Sequence, residues 1–118
     1  MLHEAANRIV RFFLSEFGRQ VFRICVSESY RFPELGRRFY ESGPQLVRER
    51  MTKVLTPYVE QGILKIDDMD LAANQFGELC KADLFVRNLC GVCNDFHEAD
   101  IERVVNGAVE MFLARYRV

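Results

Sequence analysis

An all-α helical bundle is the fold this sequence predicts, on three observations. The 118 residues hold only seven Gly and three Pro, too few turn formers for a many-stranded β fold. The clearest stops, Gly18, Gly43, Gly62 and Gly91, divide the chain into segments of helical rather than strand length. Within those segments the apolar residues recur at i, i+3, i+4 and i+7 instead of alternating. A content of 49% hydrophobic and 28% charged residues is that of one soluble domain, residues 1–118, able to build one core.

From His3 to Phe17 the residues Ala5, Ala6, Ile9, Val10, Phe12, Phe13 and Phe17 fall on helical spacing, with Arg8, Arg11 and Glu16 interleaved. A second helix follows Gly18, with Val21, Phe22, Cys25, Val26 and Ser29 on one side. It ends near Phe32, because Pro33 biases the preceding residue away from αR. Pro33 then suits the first position of a short helix that ends by Gly43. Ser42-Gly43-Pro44 opens a helix from Gln45 to Gln61, in which Pro57 removes one backbone donor and predicts a modest bend, with Gly62 as the stop. After Ile63-Leu64-Lys65-Ile66, the acids Asp67, Asp68 and Asp70 cap a long helix that continues from Leu71 to Cys90 and closes at Gly91. The last helix carries Glu98, Asp100 and Glu102 in its first turn and Arg115 and Arg117 at its end, each sign suited to its end of the helix dipole. The expectation is six helices, short loops and no strand.

The last two helices carry more apolar surface than one core can use. Wound at about 100° per residue, Leu71 to Cys90 gathers Asp70, Asn74, Gly77, Lys81 and Asn88 on one narrow strip. Apolar side chains cover the rest, with Leu71, Ala82, Phe85 and Leu89 on a side of their own. The final helix repeats the pattern, leaving Arg103, Asn106 and Glu110 as its polar strip. Gly107 and Ala114, seven apart, would let a partner helix approach closely. Leu71, Ala82, Phe85, Leu89, Val104, Gly107, Met111 and Ala114 are therefore the expected seam of a homodimer, an isologous pairing being the commonest way to cover such a face. Two central helices in a monomer are the alternative.

Charge and motifs exclude several functions. Sixteen Lys+Arg against seventeen Asp+Glu give a net charge of −1, so direct nucleic-acid binding by this stretch is not expected. No apolar run approaches the ~20 residues that span a bilayer, and the N-terminal segment, with its early acid and interspersed Arg, is unlike a secretory signal; a cytoplasmic address is expected. No Ser/His/Asp set, paired-carboxylate signature or Gly-rich phosphate loop is present, so neither enzyme activity nor a cofactor is expected. Cys90-Gly-Val-Cys93 is the sharpest local motif. It straddles a helix C-terminus, where the dipole opposes a thiolate, and His97 alone does not complete a metal site, so structural thiols are expected and no metal. Cys25 and Cys80 read as small core hydrophobes. Asp83 and Arg87 lie at i, i+4, either as an ion pair or as polar groups in a greasy pocket. Ten Phe in so short a chain can be core or can line a cavity for an apolar or aromatic small molecule. The expected lining takes in Phe13, Phe17, Phe22, Cys25, Tyr58 and Phe76, with Asp83 as the polar contact.

A helix ending in Glu28, then Arg31-Phe32-Pro33-Glu34-Leu35, then Phe39-Tyr40-Glu41-Ser42-Gly43-Pro44 and a helix closing on Gly62-Ile63-Leu64 form a specific run. Together with Asp70-Leu71-Ala72-Ala73-Asn74-Gln75-Phe76 and the closing Val109-Glu110-Met111-Phe112-Leu113-Ala114-Arg115-Tyr116, it resembles the effector-binding C-terminal domain of TetR-family transcriptional regulators, in particular the AefR-like subgroup. The resemblance covers essentially the whole chain. It implies a homodimer whose last two long helices form a four-helix bundle with their mates, and a pocket for a small-molecule effector among the earlier helices. The implied function is ligand sensing and dimerisation in a repressor, with the effector controlling DNA binding by a helix-turn-helix head. That head is not expected within these residues, and the Cys90 and Cys93 pair departs from the family pattern. A thiol redox switch through Cys90 and Cys93, or a headless dimerisation module, is the alternative reading.

Overall fold

The computed structural model describes residues 1–93 and 95–118. The described residues form α1 (Leu2–Leu14), α2 (Glu16–Glu28), α3 (Pro33–Ser42), α4 (Pro44–Glu60), α5 (Met69–Leu79), α6 (Leu84–Leu89) and α7 (Glu98–Tyr116). The all-α class stands. The β pairing among the described residues is an isolated bridge between Leu64 and Arg117, where the α4–α5 connection runs beside the end of α7: the Lys65 N–H donates to the Tyr116 carbonyl at 2.8 Å and the Val118 N–H to that of Ile63 at 3.0 Å.

Three boundaries differ from the expectation. The first helix stops at Leu14 rather than Phe17, because Ser15 is extended (φ −68°, ψ 151°) and its hydroxyl accepts from the Gly18 N–H, capping α2. Gly18 is thus in the first turn of α2, and only glycine fits there: a Cβ would lie 2.3 Å from the Phe12 carbonyl oxygen. The second difference is larger. The helix expected to run unbroken from Leu71 to Cys90 is interrupted after Leu79, and Asp83 sits at φ 66°, ψ −66° with the Leu84 N–H donating to the Ala82 carbonyl at 2.7 Å. This is a γ-turn of the strained, positive-φ kind. The contacts around it supply what the helix gives up. Lys81 lies over the rings of Phe13 and Phe85, 5.0 and 5.8 Å from their centroids, and the Asp83 carboxylate bonds Arg87 and, on α7, Arg103.

The third difference is the end of α2, at Glu28 rather than near Phe32, with residues 29–31 in turns before α3; the other boundaries follow the sequence. Pro33 and Pro44 open α3 and α4. The Asp68 side chain accepts from the Leu71 N–H at 3.1 Å to cap α5. α4 continues through Pro57, one turn from its end. Gly62 and Gly91, at φ 76° and 74°, close α4 and α6 with left-handed caps: Ile63 N–H donates to the Tyr58 carbonyl and Val92 N–H to that of Arg87, each at 2.9 Å.

The core lies where α1 and α5 pack on α7 and α4 packs on α5. Ala6, Val10, Leu55, Phe76, Leu84, Val109 and Phe112 fill it. Phe76 meets Phe112 edge-on with centroids 5.2 Å apart, and the Tyr116 hydroxyl reaches Gln75. Helices α2 and α3 stand at one side, and α3 buries no residue. The chain is a slab of 44 × 35 × 17 Å with a radius of gyration of 15.1 Å, against roughly 13.5 Å for a compact domain of this length.

Candidate functional site

The apolar stripes of α1 and α4 do not close fully on each other. Between them runs a groove of about 400 Å³, open to solvent, with Ala5, Ile9, Phe12 and Phe13 on one wall and Leu46, Val47, Met51 and Val54 on the other. Ser42 and Gly43 form one end, and Glu4, Arg8 and Arg50 supply its charged groups. The volume is within the usual range for a small-molecule site, ~300–1,000 Å³, and the lining has the usual character, mostly apolar with a few polar groups.

Of the residues expected to line a pocket, Phe13 lines this one. The others lie elsewhere. Phe17 is exposed on α2. Phe22 packs edge-on against Phe39 and Phe85 at 5.9 and 5.1 Å, a second aromatic cluster that Phe13 joins through Phe85 at 5.3 Å. Cys25 is buried in α2, Tyr58 packs half-buried against the core, and Phe76 lies inside it. Asp83 is on the surface, where the hydrogen bond from Arg103 holds its carboxyl below the ordinary carboxylate range. Ile9, Leu46, Val47, Met51 and Val54 carry the groove instead. Their helical spacing reads as core-facing in sequence, and nothing in it tells a closed face from an open one.

Among the residues expected at a dimer seam, Leu71, Ala82, Gly107, Met111 and Ala114 are exposed, Leu89 is half-buried, and Phe85 and Val104 are buried in the chain's own core. Gly107, Met111 and Ala114 share one outward strip of α7 with Arg103, Asn106 and Glu110. A Cβ at Gly107 would meet nothing within 4 Å.

The thiols differ in setting. Cys80 is buried and its thiol is pushed up to about 12 by desolvation. Cys90 is exposed, and Cys93, partly buried, donates its Sγ–H to the Asp95 carbonyl at 3.0 Å. At the far end of α1 the Arg11 guanidinium grips the Glu98 carboxylate of α7, with Nη1 donating to Oε1 at 3.1 Å, and holds that carboxyl below its ordinary range.

Residues 1–118 match the sequence model of the AefR-like transcriptional repressor, C-terminal domain. The chain belongs to that family. Solved structures agree. The Flavonoid-responsive Regulator FrrA is similar at 32% identity and a TM-score of 0.87, over 98% of this chain and 59% of its own. A TetR-family transcriptional regulator from Mesorhizobium loti is similar at 25% identity and a TM-score of 0.89, over 99% of this chain and 58% of its own. The chain thus spans under three fifths of the length of either structure. A search of curated protein sequences returned no match. No helix of this AefR-like domain, among the described residues, is long and apolar enough to cross a membrane.

Proposed function

We propose that this AefR-like domain is the effector-sensing and dimerising part of a longer TetR-family repressor, and that the effector sits in the groove between α1 and α4. The observation that carries the reading is the groove itself: an apolar slot of about 400 Å³ in the regulatory half of a transcription-factor family. The flavonoid response in the name of a structure 32% identical makes planar aromatic molecules the first class to test. Effector binding would act by shifting how two subunits sit against each other, and so how a DNA-binding head meets its operator.

Surface area supports a second copy. The chain exposes 7834 Å², against the roughly 6600 Å² expected of a monomer of this mass, and the outward strip of α7 with Gly107, Met111 and Ala114 offers a close-approach face for a partner helix.

The sequence contains no Trp, so Leu46→Trp places a single fluorophore in the groove wall. Saturable quenching by flavonoids, corrected for ligand absorption, is the expected result, and Ile9→Arg in the opposite wall should abolish it. No saturable quenching across flavonoids and other apolar aromatics would remove the groove as the effector site.

A further inference from the structure

The rim of the groove is electrostatically unbalanced. Three charged side chains reach it: Glu4, Arg8 and Arg50. Glu4 and Arg8 stand one turn apart on α1 and pair at 2.8 Å, so their charges cancel locally. Arg50, across the groove on α4, is in none of the ion pairs among the described residues. It follows Leu46 and Val47 by four and three residues and precedes Val54 by four, which puts it on the groove-facing stripe of α4. The acids closest to it in the sequence and on the rim have other partners: Glu49 accepts from Gln45 at 3.2 Å and Glu4 pairs with Arg8, while the first turn of α4, at the groove's end, holds no acid.

We infer that the groove takes an aromatic acid: a flat apolar body held between α1 and α4, with one anionic oxygen group, a carboxylate or an ionised phenol, held by Arg50. The inference rests on the groove being the effector site, and adds the ligand's charge and the residue that reads it. The guanidinium fork matches a carboxylate with two parallel hydrogen bonds, a geometry a lysine does not reproduce. Arg50 is exposed at the rim, so the pair is partly solvated and its strength is that of a charge-assisted contact beside apolar walls rather than a buried one. Arg8 is a poor reader by comparison, because an incoming anion would first have to displace Glu4.

Two probes of one shape separate charge from fit. Biphenyl-4-carboxylate and biphenyl-4-carboxamide, titrated calorimetrically into the 118-residue chain, differ only in the anionic group. The expected result is a carboxylate preference of about five- to tenfold, the size of one partly exposed charge-assisted contact, which shrinks as salt is raised. Arg50→Gln should abolish that preference while leaving the carboxamide affinity within twofold, Arg50→Lys should retain part of it, and Arg8→Gln should leave it intact. Equal binding of the two probes to the unaltered chain, or a preference that survives Arg50→Gln or is lost in Arg8→Gln, overturns the assignment to Arg50. If neither probe nor any flavonoid binds, the groove is not the effector site and the inference falls with it; binding of the carboxamide alone leaves the groove and removes the acid.

Discussion

The Asp83 carboxylate bonds Arg103 across the gap between the α5–α6 break and α7, while its own backbone stands at φ 66°. A strained residue is thus also a tether, and the two properties separate by substitution. Asp83→Gly loses the ion pairs and relieves the strain, since glycine adopts positive φ without steric cost. Asp83→Ala loses the pairs and keeps the strain. The expected order of melting temperatures is Asp83→Gly above Asp83→Ala. The reverse order would mean that the break is not held in this conformation.

Acid should loosen both ties to α7. Arg103 lowers the Asp83 carboxyl and Arg11 lowers that of Glu98. With folded-state values below the unfolded ones, each contributes stability that is complete above the ordinary carboxylate range and is lost as pH falls through the lowered values. Asp83→Asn and Glu98→Gln should therefore flatten the acid limb of a stability-against-pH curve while changing little near its alkaline end. An unchanged acid limb in the double variant would show that these pairs do not couple to folding.

Gly18 tests the α1–α2 corner. The Cβ of Gly18→Ala would lie 2.3 Å from the Phe12 carbonyl oxygen, a backbone atom with no rotamer to change, and the same carbonyl accepts the Ser15 hydroxyl at 2.6 Å. A loss of about 1–3 kcal/mol is expected, the usual cost of forcing atoms into a filled site, read by urea denaturation. A neutral or stabilising result would show that the corner opens more readily than this geometry implies.

The legible and illegible parts of this molecule divide along one physical line. Features set by local chemistry were readable: Pro33 and Pro44 at helix starts, Gly62 and Gly91 at left-handed caps, Asp68 as a cap, and the helical period throughout. Features set by contacts between distant segments were not. Leu71 to Cys90 has the periodicity of one helix, and only Arg103, twenty residues beyond Asp83, and Phe13, on another helix, reveal why it breaks. The groove shows the same limit. Phe13 was legible as a candidate lining residue, but Leu46, Val47 and Arg50 line the groove only because α1 and α4 stay apart there. Phe85 and Val104 share the apolar character of a seam, and it is packing that turns them inward.

The thiols should react in order of exposure. Cys90 is exposed, whereas Cys25 and Cys80 are buried, so an aromatic disulfide reagent should label Cys90 first and leave Cys25 and Cys80 unlabelled until the chain unfolds. Cys80 also gives an alkaline signature. Its thiol is raised from 9.0 to about 12 by burial, so the folded state holds its proton where the unfolded state has released it. The stabilising contribution is complete below pH 9, erodes as pH rises above that value and is gone beyond about 12. Cys80→Ala should remove that part of the alkaline limb, and a limb of unchanged slope would assign the loss to other groups.

Gly107 separates a partner's needs from the monomer's. On the outward strip of α7 a Cβ added at Gly107 meets nothing within 4 Å, so in an isolated chain Gly107→Leu gains helix propensity, about 0.5–1 kcal/mol for replacing glycine in an exposed helix interior. If α7 forms the proposed seam, the same leucine holds the partner helix away. The expected outcome is opposite in sign in two measurements: a dimer dissociation constant raised at least tenfold by sedimentation equilibrium, and an undiminished unfolding free energy at concentrations where the chain is monomeric. Misfolding cannot imitate that pair of results, because it would weaken the dimer and lower the unfolding free energy together. A chain that sediments as a monomer before substitution, or a dimer that Gly107→Leu leaves unchanged, would place the second copy away from this strip.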